Sequence, residues 1–489
     1  MAETIRLLDE LDVIERGAAV GGAPGAGRAA HPVHVVLIGT YELGRQPFGL
    51  ASAAAWLTET GAAVTCVDLA VQELGDEPLR SADVVAFYVP MHTATRIAAT
   101  AVERVQAINP TAHLCFFGLY APVNEAFLRK LGAKTILGGE FEEGLVALVT
   151  RLAQQRDGYE QDAAREPVIS LRRQQFRVPD RQGLPGLSEY AYLTVGGTQR
   201  RTVGYTEASR GCKHLCRHCP IVPVYGGMFR VVPREIVLED IRRQVAAGAQ
   251  HITFGDPDFF NGIGHAIPLV EALHREFPGL TYDVTIKIEH LLQEQRHIAT
   301  LRDTGCLFVT SAVEAVDDAI LEAFDKRHTR DDFIRVVALF REAGLALCPT
   351  FVTFTPWTTL EGYRDLLTLL AELGLIENLL PIQLAIRLLI PAGSRLLELP
   401  DIQGLVQSFD EAALYYPWAH PDPRVDRLHE DVLAAVLAAQ SNKASRRDVY
   451  AQAWSLAHRA LGVAVPPVPE PADGRPQLPI PYLSEPWFC

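Results

Sequence analysis

The 489-residue chain reads as an α/β protein: a doubly wound parallel sheet, then a partial (β/α)6 barrel of the TIM type, then a helical carboxyl-terminal region. Three observations predict this. Short apolar runs alternate with amphipathic or alanine-rich helical stretches between residues 33 and 137. The same alternation resumes with six further runs between 205 and 389. Beyond residue 400 the pattern is helical and ends in a proline-rich tail. Apolar runs separated by helix-length segments imply buried parallel strands joined by right-handed crossovers.

Taken in order, residues 1–30 begin with a short helical pattern and dissolve into Gly21-Gly22-Ala23-Pro24-Gly25-Ala26-Gly27, which reads as a flexible leader. Residues 31–155 form the sheet domain. Its expected strands are Val33–Ile38, Ala63–Leu69, Val84–Val89, His113–Phe117 and Lys134–Leu137, with helices such as Gly49–Thr60 and Thr93–Ile108 between them. Sheets of this kind bind ligands at the carboxyl ends of their strands. There His92 is either a ligand contact or a polar helix start. Residues 156–200 are a connector. Residues 201–398 hold the six barrel runs Tyr205–Ser209, His251–Gly255, Tyr282–Ile286, Leu307–Ala312, Ala346–Phe354 and Ile382–Leu389, and barrel chemistry gathers at the carboxyl ends of such strands. Residues 399–463 are helical around Tyr415-Tyr416-Pro417-Trp418, either capping the barrel mouth or packing as an appendage. Residues 464–489 carry eight prolines and should be extended.

Composition narrows the function classes. A hydrophobic fraction of 48% with 21% charged residues is globular, with ample material for a large core. A formal charge of −14 argues against a general electrostatic grip on nucleic acid, so no nucleic-acid partner is expected. No apolar run reaches 18 residues and no basic-then-apolar leader is present, so neither a membrane span nor a secretory signal is expected. Eight cysteines in so long a chain do not suggest a disulfide framework, which places the protein in the reducing cytoplasm. Cys66, Cys115, Cys306 and Cys348 sit in apolar strands and read as inert core thiols.

Cys212, Cys216 and Cys219 share one eight-residue loop, Cys-Lys-His-Leu-Cys-Arg-His-Cys. Three thiolates at these spacings can bind three irons of a [4Fe–4S] cube and leave the fourth open to a small molecule. A zinc site and a chance cluster of thiols are the alternatives. Zinc sites pair two knuckles, or a knuckle with a histidine pair, and none follows here; His214 and His218 lie within the same loop, too cramped to close a tetrahedron. An electron carrier would normally use a fourth cysteine, which this loop lacks. That carrier, and a zinc-stabilised ligand-binding module, are the rival functions.

The string Glu207-Ala208-Ser209-Arg210-Gly211-Cys212 through Cys219-Pro220 resembles the signature of the radical S-adenosylmethionine enzymes. The resemblance implies that the open iron chelates S-adenosylmethionine, whose reductive cleavage yields a 5'-deoxyadenosyl radical. It also implies an external electron donor of flavodoxin or ferredoxin type and a small-molecule or peptide substrate. By the same resemblance His218 packs near the adenine, and Gly255-Asp256-Pro257-Asp258 replaces a Gly-Gly-Glu turn that meets the methionyl amine. An ordinary Asp-Pro turn is the alternative there. Ser311 and Glu314 would bind ribose hydroxyls or the methionyl group, and Lys326-Arg327-His328-Thr329 echoes a positioning segment. Lys287 and Glu289, paired with each other, and Arg387, a bidentate clamp for the cofactor carboxylate, are expected from strand-end position.

Two further resemblances concern the ends of the chain. The first domain looks like the cobalamin-binding domain of one radical subfamily, on Gly39-Thr40-Tyr41-Glu42-Leu43-Gly44 and Gly138-Gly139-Glu140-Phe141-Glu142. The Asp-x-His-x-x-Gly string that supplies an axial histidine to cobalt is absent, which leaves both a cobalamin-binding and a purely structural role open. If cobalamin binds, methyl transfer to an unactivated carbon or phosphorus is implied. The tail Leu483-Ser484-Glu485-Pro486-Trp487-Phe488-Cys489 resembles a group whose chains finish in Cys-Cys-Ala-Glu-Pro or Cys-selenocysteine-Ala-Glu-Pro (the CCAEP and CUAEP tails). The corresponding expectation is a selenocysteine codon directly after Cys489, with an incidental thiol as the alternative.

Overall fold

A computed structural model describes residues 32–156, 165–472, 474–475 and 477–484. The expected leader and Cys489 lie outside the described residues. The first sheet has six strands, all parallel, in the order β2-β1-β3-β4-β5-β6. These are β1 (His34–Gly39), β2 (Ala63–Asp68), β3 (Val84–Tyr88), β4 (His113–Phe117), β5 (Thr135–Gly139) and the two-residue β6 (Ile169–Ser170). Along β1 side chains alternate between faces. Val36 and Ile38 pack with Val85, Phe87 and the helix His92–Ile108, whereas Val35 and Leu37 pack with Leu50 and Leu57 of the helix Phe48–Glu59 and with Leu145 and Leu148. Both faces are therefore apolar and covered, as a parallel sheet requires. Strand order reverses at β1, so the loops after β1 and β3 flank the switch point.

The second sheet has the order β14-β13-β12-β11-β8-β7-β15. Five strands are parallel: β8 (Gln199–Thr206), β11 (His251–Phe254), β12 (Thr281–Thr285), β13 (Cys306–Glu314) and β14 (Ala346–Phe351). The short strands β7 (Tyr192–Val195) and β15 (Tyr482–Leu483) extend it antiparallel, so the proline-rich tail ends paired to the barrel edge. The sixth expected run, Ile382–Leu389, is no strand. It opens in a 3-10 turn, Pro381–Leu384, and contributes one parallel bridge between Phe354 and Arg387. The Gln383 side chain accepts from the Phe351 amide at 2.7 Å, taking the place of a ladder carbonyl. The run expected over Tyr205–Ser209 also divides. β8 stops at Thr206, and Ser209–Gly211 (β9) pairs antiparallel with Phe229–Val231 (β10). Those two strands clamp the base of the cysteine loop. Helices Pro423–Ser441 and Arg446–Ala460 pack through Val432, Tyr450 and Trp454 onto the barrel core.

Two arginines, Arg181 half-buried and Arg210 buried, join the sheet domain to the barrel. Arg181, on the connector, donates to Asp240 through Nε and Nη2 (2.8 and 2.9 Å), to Gln46 of the first domain, and to the Tyr205 carbonyl of β8. Arg210, on β9, donates to Glu142 (2.6 Å), Glu207 (2.8 Å) and Ser52 (3.2 Å), with Glu140 at 3.6 Å. Its guanidinium lies 5.3–5.5 Å from the ring centres of Phe48, Phe141 and Phe176. Glu140, Glu142 and Ser52 belong to the sheet domain, so this cation ties the two units together.

Arg210→Met should leave buried carboxylates unpaired and cost about 3–5 kcal/mol. The sign with pH follows from their titration. Without the guanidinium Glu142, now held low, rises above the unfolded value near 4.5, and Glu140 and Glu207, already raised by burial, rise further, so the cost shrinks as pH falls through that value and grows as pH rises. Differential scanning calorimetry of the variant at pH 4.5 and pH 8 should show a larger deficit at the higher pH, with the single transition dividing in two. An equal deficit at both would refute the ion-pair account.

Candidate active site

Gly211 precedes the first cysteine with φ +72°. A Cβ there would lie 2.4 Å from the Tyr225 ring and 2.5 Å from the Met228 carbonyl, so the turn into the loop accepts only glycine. From Cys212 to Cys219 the loop is held by its own carbonyls and by neighbours. Arg395 donates to the Leu215 carbonyl (3.2 Å) and Ser394 to the Arg217 carbonyl (3.3 Å). Arg217 in turn donates from Nη1 to the carbonyls of Glu322 and Ala323, both 3.0 Å, where the helix Asp318–Ala323 ends. Cationic donors suit the exposed carbonyls of a helix terminus. The Asn261 carboxamide oxygen faces Cys212 Sγ at 3.9 Å.

Cys216 is buried, and Cys212 and Cys219 are half-buried. Burial raises the Cys212 thiol and pushes that of Cys219 up to about 12. Buried thiols of this kind ionise when a metal takes the place of the proton. Among the described residues the three sulfurs do not converge within the 4.8 Å that a single ion's ligands span. A zinc tetrahedron with Zn–S bonds of about 2.3 Å would draw them much closer.

A second group of charges stands beside the loop. Glu314 ends β13 with φ +71°; Lys326 donates to it at 3.3 Å and His218 Nε2 lies 3.1 Å from the same oxygen. Burial alone would raise this carboxyl, but the Lys326 ammonium and His218 outweigh burial and hold it at about 2. Burial likewise opposes the Lys326 ammonium, which Glu314 and then the Cys216 and Cys219 thiols raise. Asp325 and Arg327 also have positive φ, 56° and 57°. Three non-glycine residues in the left-handed region around one lysine are strained, at roughly 1–3 kcal/mol each.

The other expected residues take the following places. His218 packs against Phe324 with centroids 4.5 Å apart and ring planes tilted by 32°, and its Nδ1 has no partner. Ser311 Oγ is fully buried and unpartnered. Asp256 points back into the barrel, accepting from Ser209 Oγ at 2.5 Å and the Ala208 amide at 2.9 Å; burial pushes it up to about 7. Gly255 leaves room for Tyr205, whose hydroxyl would lie 2.1 Å from an added Cβ. Pro257 lines the large cavity, and Asp258 turns away from it toward His214 and His290. Lys287 and Glu289 pair at 3.1 Å. Arg387 has its fork occupied by Asp426 (2.8 Å) and the Trp418 carbonyl (3.0 Å), over the Trp418 ring. His92 starts a helix and reaches the Ala413 carbonyl at 2.6 Å. Sequence reasoning missed Arg210, Asn261 and His290, and it treated His214 only as a neighbour within the loop.

Two unpartnered buried polar atoms lie beside the cysteines, His218 Nδ1 within the loop and Nδ2 of the Asn261 that faces Cys212; Ser311 Oγ and His328 Nδ1 are also unpartnered. Buried polar groups are rarely left unpaired without a ligand to satisfy them. Together with the three cysteines they fit a cluster bearing a polar small molecule. A cavity of about 1120 Å³ opens alongside, between the carboxyl ends of the first sheet and those of the barrel. Glu42, Gly118 and Gly139 line it from one side, Glu207, Gly255 and Asp256 from the other, with Phe48, Phe141 and Tyr205 between. Gly118 and Gly139 have φ +109° and +69° and bare their backbone to the space. No histidine lines it among the described residues. Its size and glycine-backed apolar walls fit a large flat cofactor.

Comparison with known proteins places this geometry. Residues 206–370 match the radical SAM superfamily. The chain carries a radical SAM domain. Among curated proteins it is 27% identical over 177 residues to the ribosomal protein uS12 methylthiotransferase RimO of Geobacter sulfurreducens, covering 34% of this chain and 39% of that protein. It is 26% identical over 151 residues to the hopanoid C-3 methylase of Methylococcus capsulatus, covering 31% and 29%. The chain thus spans well under two thirds of these relatives. Two solved structures share the fold. One is the cobalamin-dependent S-adenosylmethionine radical enzyme OxsB with aqua-cobalamin and S-adenosylmethionine bound, with TM-score 0.63 and 15% identity over 84% of this chain and 67% of that one. The other is the radical S-adenosylmethionine methyltransferase TsrM of Kitasatospora setae with cobalamin and a [4Fe-4S] cluster bound, with TM-score 0.55 and 17% identity over 70% and 73%. Both halves of the expected α/β architecture are therefore present. No helix among the described residues is long and apolar enough to cross a membrane.

The radical SAM domain relies on Lys326 to neutralise Glu314 beside the cysteines. Lys326→Met should strand that carboxylate and cost about 3–5 kcal/mol, and the double variant Glu314→Gln/Lys326→Met should recover most of the loss. Urea unfolding of the cluster-free proteins measures both. A double variant no more stable than the single one would contradict the pairing.

Proposed function

We propose that this chain is a cytoplasmic radical SAM enzyme that starts radical chemistry on a small-molecule or peptide substrate, with cobalamin as a second cofactor. The observation that carries the reading is one loop with three cysteines, Cys216 buried and Cys212 and Cys219 half-buried, beside the unpartnered polar atoms His218 Nδ1 and Asn261 Nδ2. When bound, a [4Fe–4S] cluster supplies the electron that cleaves S-adenosylmethionine to methionine and a 5'-deoxyadenosyl radical, and cobalamin supplies a carrier for methyl transfer. Cys212, Cys216 and Cys219 would hold the cluster. Lys326 offsets thiolate charge from 3.3 Å behind Glu314, and Arg217, Ser394 and Arg395 keep the loop from rearranging.

His218, packed against Phe324, offers a flat surface to a nucleobase. Ser311 and Asn261 offer hydrogen-bonding atoms that have no other use. Asp256 is tied to Ser209 and Ala208, so this carboxyl positions the strand leading into the cysteine loop. Gly118, Gly139 and Phe141 would back the cobalamin. Enclosing both cofactors in one space excludes water, which a carbon radical needs to survive long enough to meet its substrate. The external reductant would be a flavodoxin- or ferredoxin-type protein.

Anaerobically reconstituted protein given reductant and S-adenosylmethionine should form 5'-deoxyadenosine, and Cys216→Ser should abolish both cluster iron and product. A healthy cluster without product would instead support an electron carrier. Added hydroxocobalamin should co-purify with the protein, and electron paramagnetic resonance of its reduced cobalt should lack nitrogen superhyperfine splitting from a histidine.

A further inference from the structure

His214, Asp258 and His290 come from three separate segments: the cysteine loop, the turn after β11 and the helix Ile288–Gln293 after β12. Their ligand atoms, one from each, all lie within 4.8 Å of one another. Asp258 Oδ2 is 2.6 Å from His290 Nδ1 and 3.3 Å from His214 Nε2. The side chains are 2%, 3% and 9% exposed, respectively. From these positions we propose that the three residues form a binding site for one divalent transition-metal ion, separate from the cysteine cluster.

The competing account is a carboxylate accepting hydrogen bonds from two imidazoles. It requires N–H vectors directed at Oδ2, yet Asp258 Oδ2, His214 Nε2 and His290 Nδ1 all lack a hydrogen bond of acceptable geometry despite their short separations. The atoms converge on a common point and do not lie along one another's bonding directions. Metal bonds of about 2.0–2.1 Å in a tetrahedral site put donor atoms about 3.3 Å apart. The His214–Asp258 separation of 3.3 Å already matches, and the 2.6 Å His290–Asp258 pair would have to open by about 0.7 Å. Two imidazoles and one carboxylate suit ions such as Zn²⁺, Fe²⁺ or Co²⁺ over Mg²⁺ or Ca²⁺, which prefer all-oxygen ligand sets.

The surroundings supply the outer support that such sites carry. Lys287 donates to His214 Nδ1, and Glu289 Oε2 stands 3.7 Å from that nitrogen; metal on Nε2 would fix the Nδ1–H tautomer, displace the Lys287 contact and let Glu289 accept from Nδ1. Lys287 lies 3.3 Å from the same nitrogen and 3.1 Å from Glu289, which compensates its charge. None of the three ligands lines the large cavity. The ion is therefore structural: with His214 midway between Cys212 and Cys216, it would fasten the cysteine loop to the ends of β11 and β12.

The test uses cluster-loaded, cobalamin-free protein, in which iron occupies the cysteines, dialysed anaerobically against Zn²⁺ and analysed for both metals. The expected result is one zinc per chain beside the cluster iron, with an X-ray absorption spectrum showing nitrogen and oxygen ligands and no sulfur. Asp258→Asn and His290→Gln should lose zinc and keep iron, and Glu289→Gln should weaken zinc binding about 10–100-fold. Absence of zinc, zinc retained in both ligand variants, or sulfur in its coordination shell would overturn the site. Displacement of zinc by S-adenosylmethionine would also overturn it, by showing that these residues belong to the cofactor pocket. Should a variant fail to fold, the wild-type stoichiometry and spectrum still decide. Neither readout depends on 5'-deoxyadenosine formation, so failure here is distinguishable from failure of the enzymatic reading.

Discussion

The Arg210 guanidinium is held by three carboxylates and enclosed by three phenyl rings at the junction of the two sheets. Two residues later the chain becomes the cysteine loop. Buried ion pairs add little net stability, because desolvation offsets their attraction, but breaking one is costly. Their effect is therefore on geometry: the sheet domain cannot rotate on the barrel without stranding charges. Glu140 is pushed up to about 7 by burial, Arg210 opposing, so it can carry a proton near neutral pH and reduce the excess negative charge. Gln174 and Ser52 donate to Glu142 and complete the enclosure. The shape of the cavity between the sheets follows from this one buried set of charges.

Around the cysteines, order is imposed by backbone as much as by side chains. Gly211 admits no Cβ, Glu314, Asp325 and Arg327 hold positive φ, and two loop carbonyls are taken by Arg395 and Ser394. Strain of this kind persists only where surrounding contacts over-determine it. The helix after the strained segment begins with a Thr329–Asp332 capping box, which fixes where the chain must stop bending. A preformed loop spares cofactor binding the cost of ordering it.

Local pattern made most of this architecture legible. Strand runs such as His113–Phe117 were readable because both faces of a parallel sheet are buried and apolar. The cysteine loop was readable because its three cysteines fall within eight residues. What escaped depends on long-range juxtaposition. Arg210 meets Glu142 across 68 residues, and His290 meets Asp258 across an entire strand–helix repeat; neither pairing leaves a local signal. His214 looked confined to its own loop because its partners come from two other strand ends. Ile382–Leu389 had the apolar content of a strand, but Pro381 and the Gln383 side chain took over its pairing. Arg387 has strand-end placement, while its fork is spent on Asp426, a partner on a helix that no periodicity links to it.

Parallel strands confine their loops of interest to one end, and this chain has two such sheets. Each alone would offer a shallow crevice at its carboxyl edge. Here the edges are turned toward each other, so Gly118 and Gly139 of one sheet and Gly255 and Asp256 of the other wall the same cavity. Any group seated on the first sheet is then exposed to whatever is generated at the mouth of the second, with no solvent layer between. That arrangement needs the domains locked face to face. It also explains why the connector residue Arg181 reaches Gln46, Asp240 and the Tyr205 carbonyl at once: a linker that only tethered the domains would leave the shared cavity free to open.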